Sequence, residues 1–287
     1  MPELAYVNGR FMPIADAMVS IEDRGMQFGD GVYEVIVAYD GRLFQLESHM
    51  QRLRRSAAAI GLVYDFDNKP LEDVLSEGLR RSGFDDAMIY VQLTRGTAPR
   101  VHLIPEGLTP TVIMTFKPRP VVPEDLVRCG MSVMTTPETR WANCYIKAIT
   151  LLPNILARTE ADRRGYDDAI FVTEAGEVRE CTASNIFIVN GNVLRFPLRN
   201  EAVLHGVTQS LLLNCAAAID LETREEAFDV TALRSADEVF MSGTSLEVLG
   251  VTSIDGNAVA DGKVGAVTKR LHAEFLRRIH EPSATAR

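Results

Sequence analysis

The sequence predicts an α+β protein of two domains. Three observations carry this expectation: strand-like and helix-like segments mix without regular βαβ alternation, a proline-rich break falls before mid-chain, and 287 residues suffice for two cores. In chain order, Ala5-Tyr6-Val7 meets an Asn8-Gly9 turn, and residues 32–39 meet an Asp40-Gly41 turn before Arg42-Leu43-Phe44. Both are hairpin signatures. Leu46, Met50, Leu53, Ala57 and Ile60 recur at helical spacing, and Leu71, Val74, Leu75, Gly78 and Leu79 mark a second amphipathic helix. Strands are expected at 88–93 and 111–116. The run Lys117-Pro118-Arg119-Pro120-Val121-Val122-Pro123 holds three prolines, which deny a strand or helix its donors, so it reads as a linker. The expected division is an N-terminal domain at 1–117, a linker at 118–124 and a C-terminal domain at 125–287.

The second half opens with an extended run at 131–135 and a polar loop to Cys144, followed by a helix at 153–164 that Gly165 stops. Strands are expected at 169–173 and 185–190, the latter turning at Asn190-Gly191 onto Val193-Leu194-Arg195. Further helices are expected at 208–218 and 264–279. No internal repeat or low-complexity tract is visible.

Composition narrows the function classes. The formal net charge of −9 is spread without acidic or basic blocks, which leaves no electrostatic footprint for nucleic acid or an anionic membrane. A small-molecule partner is expected instead. Met1-Pro2-Glu3-Leu4-Ala5 lacks a basic stretch followed by an apolar core, and no apolar run reaches membrane-spanning length, so a soluble, cytoplasmic protein is expected. Cys129, Cys144, Cys181 and Cys215 are far apart and match no metal-ligand spacing. They read as small buried side chains in a reducing compartment, and no metal site is expected.

Of five lysines, Lys69 and Lys117 precede prolines in expected loops, and Lys263 and Lys269 fall on the expected polar C-terminal helix. Lys147 alone sits in apolar company, in Tyr145-Ile146-Lys147-Ala148-Ile149-Thr150-Leu151-Leu152, directly ahead of a helix. Two readings fit that context: a stem packed on the core with its head in water, or a partly desolvated amine that serves as a nucleophile.

The stretch 143–154, read with Arg179-Glu180-Cys181-Thr182-Ala183-Ser184-Asn185-Ile186-Phe187, resembles the fold-type IV pyridoxal-phosphate aminotransferases. The resemblance spans the chain, from Asp23-Arg24-Gly25-Met26-Gln27-Phe28-Gly29-Asp30-Gly31-Val32-Tyr33-Glu34 to Asp261-Gly262-Lys263-Val264-Gly265. It implies a small N-terminal domain and a larger C-terminal domain with a barrel-like core that binds pyridoxal 5'-phosphate. It makes Lys147 the Schiff-base lysine and Glu180 the partner of the ring nitrogen, an ionised carboxylate that keeps the ring protonated as an electron sink. It places the phosphate on Val207 and Thr208 in His205-Gly206-Val207-Thr208, where a helix N-terminus offers free amides, with Thr244 and Arg52 adding a donor and a charge. Arg140-Trp141 also follows the family pattern. Without the resemblance, Arg52 reads as part of the solvated basic face Arg52-Leu53-Arg54-Arg55.

Within the family, Thr94-Arg95-Gly96-Thr97-Ala98-Pro99-Arg100-Val101-His102 resembles the loop of the D-amino acid transaminases. There the R-x-H pair, Arg100 and His102, reaches in from a neighbouring subunit and, with Tyr33, traps the substrate α-carboxylate. A planar guanidinium grips a carboxylate at two points and so fixes its orientation. The resemblance implies a homodimer that transaminates D-amino acids such as D-alanine or D-glutamate with 2-oxo acids by a ping-pong mechanism. Arg100 and His102 argue against an (R)-amine transaminase, a branched-chain L-amino acid transaminase and an aminodeoxychorismate lyase. Retention of Lys147, Glu180, Arg52 and the phosphate loop argues against a non-catalytic binding protein on the same scaffold. The chain departs from its close relatives at Cys181-Thr182-Ala183, usually richer in serine, and at Leu246, usually smaller and polar.

Overall fold

The computed structural model describes residues 3–281. Met1 and Pro2, where the N-terminal reading begins, and residues 282–287 lie outside the described residues. The chain divides into two compact units, Met1–Pro120 with Ile146–Leu151, and Val121–Tyr145 with Leu152–Arg287. The expected C-terminal domain, 125–287, includes Ile146–Leu151, which the contacts assign to the first unit.

The first unit contains β1 (Leu4–Val7), β2 (Arg10–Pro13), α1 (Arg24–Phe28), β3 (Gly31–Tyr39), β4 (Arg42–Leu43), α2 (Leu46–Ala59), α3 (Leu71–Ser82), β5 (Ala87–Thr94) and β6 (Thr111–Pro118). Six strands form an antiparallel sheet in the order β2-β1-β6-β5-β3-β4. The two expected hairpin turns have positive φ at both central residues, 45° and 96° at Asn8-Gly9 and 49° and 72° at Asp40-Gly41. That geometry matches the twist of the flanking strands. β6 continues through Lys117 to Pro118, past the expected strand end, because Met88 and Ala87 of β5 still pair with those two residues. Lys117 is therefore a strand residue rather than a loop residue. α3 buries Leu71, Leu75 and Leu79 and passes so close to β6 that a Cβ at Gly78 would lie 2.0 Å from Cζ of Phe116. The segment Ile146–Leu151 joins this unit through backbone pairing: Tyr33 N–H donates to the Lys147 carbonyl (2.9 Å) and Ile149 N–H to the Gly31 carbonyl (3.1 Å).

The second unit contains α4 (Glu124–Cys129), β7 (Met131–Pro137), α5 (Leu152–Arg163), β8 (Asp168–Val172), β9 (Val178–Cys181), β10 (Asn185–Asn190), β11 (Val193–Phe196), α6 (Val207–Ala218), β12 (Glu222–Glu225), α7 (Val230–Arg234), β13 (Glu238–Gly243), β14 (Glu247–Ile254), β15 (Asn257–Ala258) and α8 (Ala266–His280). Its sheet runs β12-β11-β10-β13-β14-β7-β8-β9, with β15 on β14, and mixes parallel and antiparallel pairs. Cys181 N–H donates to the Ser184 carbonyl (2.8 Å), tying the end of β9 to the start of β10 although β9 lies at the sheet's far edge. The sheet thus curls into a half-barrel. Ile170, Ile186, Ile188, Met241, Leu249 and Val251 fill one side of it. On the other, Phe187 stacks on Phe240 at 4.7 Å, worth roughly 1 kcal/mol beyond the area it buries.

The expected helices and strands of this half are present, while α4, β9, β12, α7, β13, β14 and β15 were not anticipated. α4 has six residues and no apolar periodicity to announce it, and β13 is an apolar run buried on both faces, which shows no alternation to read. Lys263 precedes α8 instead of riding on it. Cys144, Cys181 and Cys215 are buried as expected, but Cys129 is exposed at the end of α4.

Candidate active site

In the first unit, β3 and α2 place the predicted residues. Tyr33 and Glu34 are consecutive on β3, so their side chains leave opposite faces. The Tyr33 ring stacks on Tyr90 at 5.6 Å, and the Nζ of half-buried Lys147 lies 4.3 Å from the centre of the Tyr33 ring. Lys147 N–H donates to Ser56 Oγ (3.1 Å), which with the two β3 bonds fixes the lysine's backbone. The amine of this half-buried lysine thus lies against the face of a tyrosine ring.

Arg52 is not on a solvated basic face, being 4% exposed. Its Nε and Nη2 donate to the two oxygens of Glu34 at 2.7 and 2.9 Å. His49, one helical turn earlier on α2, contacts Glu34 Oε2 through Nδ1 at 2.8 Å. Burial pushes the Glu34 carboxyl up, but the charge and hydrogen bonds of Arg52, helped by His49, outweigh it and hold the group at about 2. Burial outweighs Glu34 at His49 and lowers that imidazole, so a neutral His49 donates its Nδ1–H to the carboxylate. Glu34 and His49 were missed as site residues. Their signal was a lone acid in the apolar run Val-Tyr-Glu-Val-Ile and a histidine three residues from Arg52, one turn away on the same helical face.

Arg100 and His102 are exposed and lie in irregular chain between β5 and β6. Both contact one aromatic ring: Arg100 sits over Phe28 at 4.6 Å, and the His102 ring is 5.6 Å from it. Arg100 Nη1 also donates to the Gln27 carbonyl (3.2 Å). The loop is anchored at its root by Gly96, whose φ of 101° and whose 2.0 Å virtual-Cβ approach to the Thr109 carbonyl admit only glycine.

In the second unit, Asn185 gathers the other predicted residues. Its Nδ2 donates to Glu180 Oε2 (3.2 Å) and to the Leu204 carbonyl (2.9 Å), and its Oδ1 would lie 2.1 Å from a Cβ on Gly206. Asn185 also pairs with Ser242 across β10 and β13, which sets the turn carrying Thr244 beside Ser184. Asn185 thus ties Glu180 to Leu204 and to Gly206, the residue before Val207 and Thr208, a role that was not read in advance. Glu180 is 5% exposed and accepts from Leu204 N–H (3.1 Å) as well as from Arg140 Nη1. Arg140 turns its Nε and Nη2 to Glu138 and lies 4.4 Å from the Phe171 ring centre. Both acids raise the Arg140 guanidinium against the effect of burial, so it stays charged. Trp141 is 44% exposed and is not a core residue.

α6 begins at Val207 with Gly206 as its N-cap, and Gly206 N–H donates to Gln209 Oε1 (3.2 Å). A glycine cap supplies no side-chain acceptor, so the amides of Val207 and Thr208 face outward with the positive end of the helix dipole. This donor set suits an anion. The buried carboxylate of Glu180 suits a cationic nitrogen. Ser242 Oγ is buried and meets no hydrogen-bond partner among the described residues. Together these features fit a polar ligand that carries both a phosphate and a protonatable ring nitrogen. Among the described residues no group of His, Cys, Asp or Glu side chains is arranged to hold a metal ion, and no helix is long and apolar enough to cross a membrane.

Comparison with known proteins agrees with this geometry. The chain is 38% identical over 279 residues to the D-alanine aminotransferase of Staphylococcus epidermidis, covering 97% of this chain and 98% of that one. It is 38% identical over 276 residues to the D-alanine aminotransferase of Listeria monocytogenes, covering 95% of each. Among solved structures, the branched-chain amino acid aminotransferase of Escherichia coli superposes with a TM-score of 0.90 at 28% identity, covering 96% of this chain and 94% of that one. A second branched-chain amino acid aminotransferase, that of T.th. with pyridoxamine 5'-phosphate, gives 0.88 at 27% identity, covering 96% and 93%. Residues 31–254 match the family model described as amino-transferase class IV. With that match and relatives aligned along nearly its whole length, the chain belongs to the class IV aminotransferase family.

Proposed function

We propose that this protein is a pyridoxal 5'-phosphate-dependent D-amino acid transaminase that exchanges amino groups between D-amino acids and 2-oxo acids. The observation that carries the reading is the near full-length similarity to D-alanine aminotransferases, with Arg100 and His102 both against the Phe28 ring in the loop that resembles theirs. Bound pyridoxal phosphate supplies an aldehyde that condenses with amines and a protonated ring that takes up the electrons released at the substrate Cα.

The chain's own residues do the rest. Lys147 would hold the cofactor through its amine, and the same amine would move the proton that leaves the substrate Cα. Glu180 keeps a proton on the ring nitrogen. The amides of Val207 and Thr208, the hydroxyls of Thr208 and Thr244, and the charge of Arg52 bind the phosphate; the buried pairing of Arg52 with Glu34 gives that charge a fixed position. Tyr33, Arg100 and His102 hold the substrate carboxylate and orient the Cα–H bond. The enzyme keeps the amino group between the two half-reactions, which predicts ping-pong kinetics.

The same proposal includes a homodimer in which Arg100 and His102 serve the partner's substrate. Its support is the apolar surface beside them: Val101, Leu103 and Ile104 on their loop, with Met18, Ile21 and Met26 on the segment that Ala98 N–H and Arg24 N–H tie to it, are all exposed. A cytoplasmic setting is supported by four free cysteines. The division into domains at 1–117 and 125–287 joined by a linker at 118–124 is supported by a boundary along the chain between two compact units at Pro120/Val121.

The test is a substrate panel of D-alanine, L-leucine and an (R)-amine, each with 2-oxoglutarate as acceptor. Turnover of D-alanine is expected. Turnover of L-leucine alone would move the protein to the branched-chain class its structural neighbours bear. Lys147→Ala is expected to abolish the visible absorbance of lysine-bound cofactor, and an unchanged spectrum would overturn the role of Lys147.

A further inference from the structure

The acids around Arg140 outnumber it. Glu138 accepts from Arg140 Nε at 3.0 Å, from Nη2 at 2.6 Å and from the Arg140 backbone N–H at 2.9 Å, whereas Glu180 receives Nη1. The side chains of Arg140 and Glu180 are 5% and 7% exposed, and that of Glu138 is 18% exposed, so solvent screens the cluster weakly. Two carboxylates and one guanidinium leave the cluster with a net charge of −1. Arg179 is paired with Glu177 at 2.7 Å, and burial holds the Cys144 thiol up at about 11, so it is neutral.

A lone Arg140–Glu180 pair would be neutral, and the guanidinium would draw down the basicity of the carboxylate meant for a ring nitrogen. Glu138 changes that balance. We propose that Glu138 is a positioning residue for the cofactor's ring nitrogen: it engages Nε and Nη2 of Arg140, offsets its charge, and so leaves Glu180 able to hold a proton on that nitrogen. The proposal rests on the reading of Glu180 as the ring-nitrogen partner. It concerns a residue that no motif singled out and that need not touch cofactor or substrate.

The test uses holoenzyme loaded with pyridoxal phosphate carrying 15N at the ring nitrogen, whose chemical shift reports its protonation directly. Glu138→Gln keeps the shape of the side chain and removes the charge. The expected result is a ring-nitrogen resonance displaced toward that of unprotonated pyridine, with kcat for D-alanine lowered about tenfold, the equivalent of one unit of lost basicity. Glu138→Asp retains a carboxylate that can accept the same N–H two residues on, and should keep a resonance close to wild type. Should Glu138→Gln not accumulate as folded protein, Glu138→Ser, whose hydroxyl can cap the same turn, is read in the same way. A wild-type resonance in the neutral variants, or an equal displacement in Glu138→Asp, would overturn the proposal. Glu180→Gln separates the two layers: if it leaves the resonance unmoved, the reading of Glu180 fails and takes Glu138 with it, whereas if it moves the resonance and Glu138→Gln does not, only Glu138 is excluded.

Discussion

Replacing Glu34 with glutamine should destabilise the protein by about 3 kcal/mol at neutral pH. Glu34 is fully buried and receives two bonds from Arg52 and one from His49. A carboxyl held at about 2 in the fold against its ordinary 4.5 contributes about 3 kcal/mol when ionised. The same size follows from the other partner, since stranding one member of a buried ion pair costs about 3–5 kcal/mol. The sign with pH is set by the depressed value: the contribution is complete above about pH 4.5 and is lost as pH falls toward about 2. Guanidinium unfolding of wild type and Glu34→Gln, followed by far-UV circular dichroism, should show a gap of about 3 kcal/mol at pH 7 that narrows at pH 3. A gap under about 1 kcal/mol at pH 7, or one that widens in acid, would refute the reasoning. The paired change Glu34→Leu with Arg52→Met removes both charges and should cost less than Glu34→Gln alone, because nothing charged is left stranded.

Three further outcomes are expected. Gly96→Ala forces a Cβ against the Thr109 carbonyl at a φ of 101°, so the loop carrying Arg100 and His102 should shift, raising KM for D-alanine by about tenfold or more with a smaller change in kcat. Thr208→Val removes a hydroxyl at the mouth of α6 while keeping its shape; equilibrium dialysis should show weaker binding of pyridoxal phosphate, by roughly tenfold for one hydrogen bond to a charged group. Gly78→Ala places a Cβ 2.0 Å from Phe116 Cζ and should cost about 1–3 kcal/mol in unfolding experiments, with the cofactor spectrum retained.

Much was legible in the sequence because the signals are local. Hairpin turns at Asn8-Gly9 and Asp40-Gly41 follow from which residues tolerate positive φ, and α2, α3, α5, α6 and α8 from apolar periodicity or a stop signal. Order along the chain was enough to match Lys147, Glu180 and the R-x-H pair to a family pattern, and with it the class of reaction. Charge partnership was not legible, because it depends on which faces meet. Arg52 read as solvated until α2 turned it toward Glu34 of β3, and Asn185 read as one letter of a motif until Glu180, Leu204 and Gly206 closed around it. Glu138 and Arg140 lie two residues apart, yet the bond from Arg140 to Glu180, 40 residues on, exists only once β8 sets β7 and β9 near each other in one sheet. The sequence by itself determined the residue types, the two-part architecture and the chemistry they permit. Tertiary structure alone decided which of those charges are buried, paired and held in place, since burial and pairing are properties of neighbours in space.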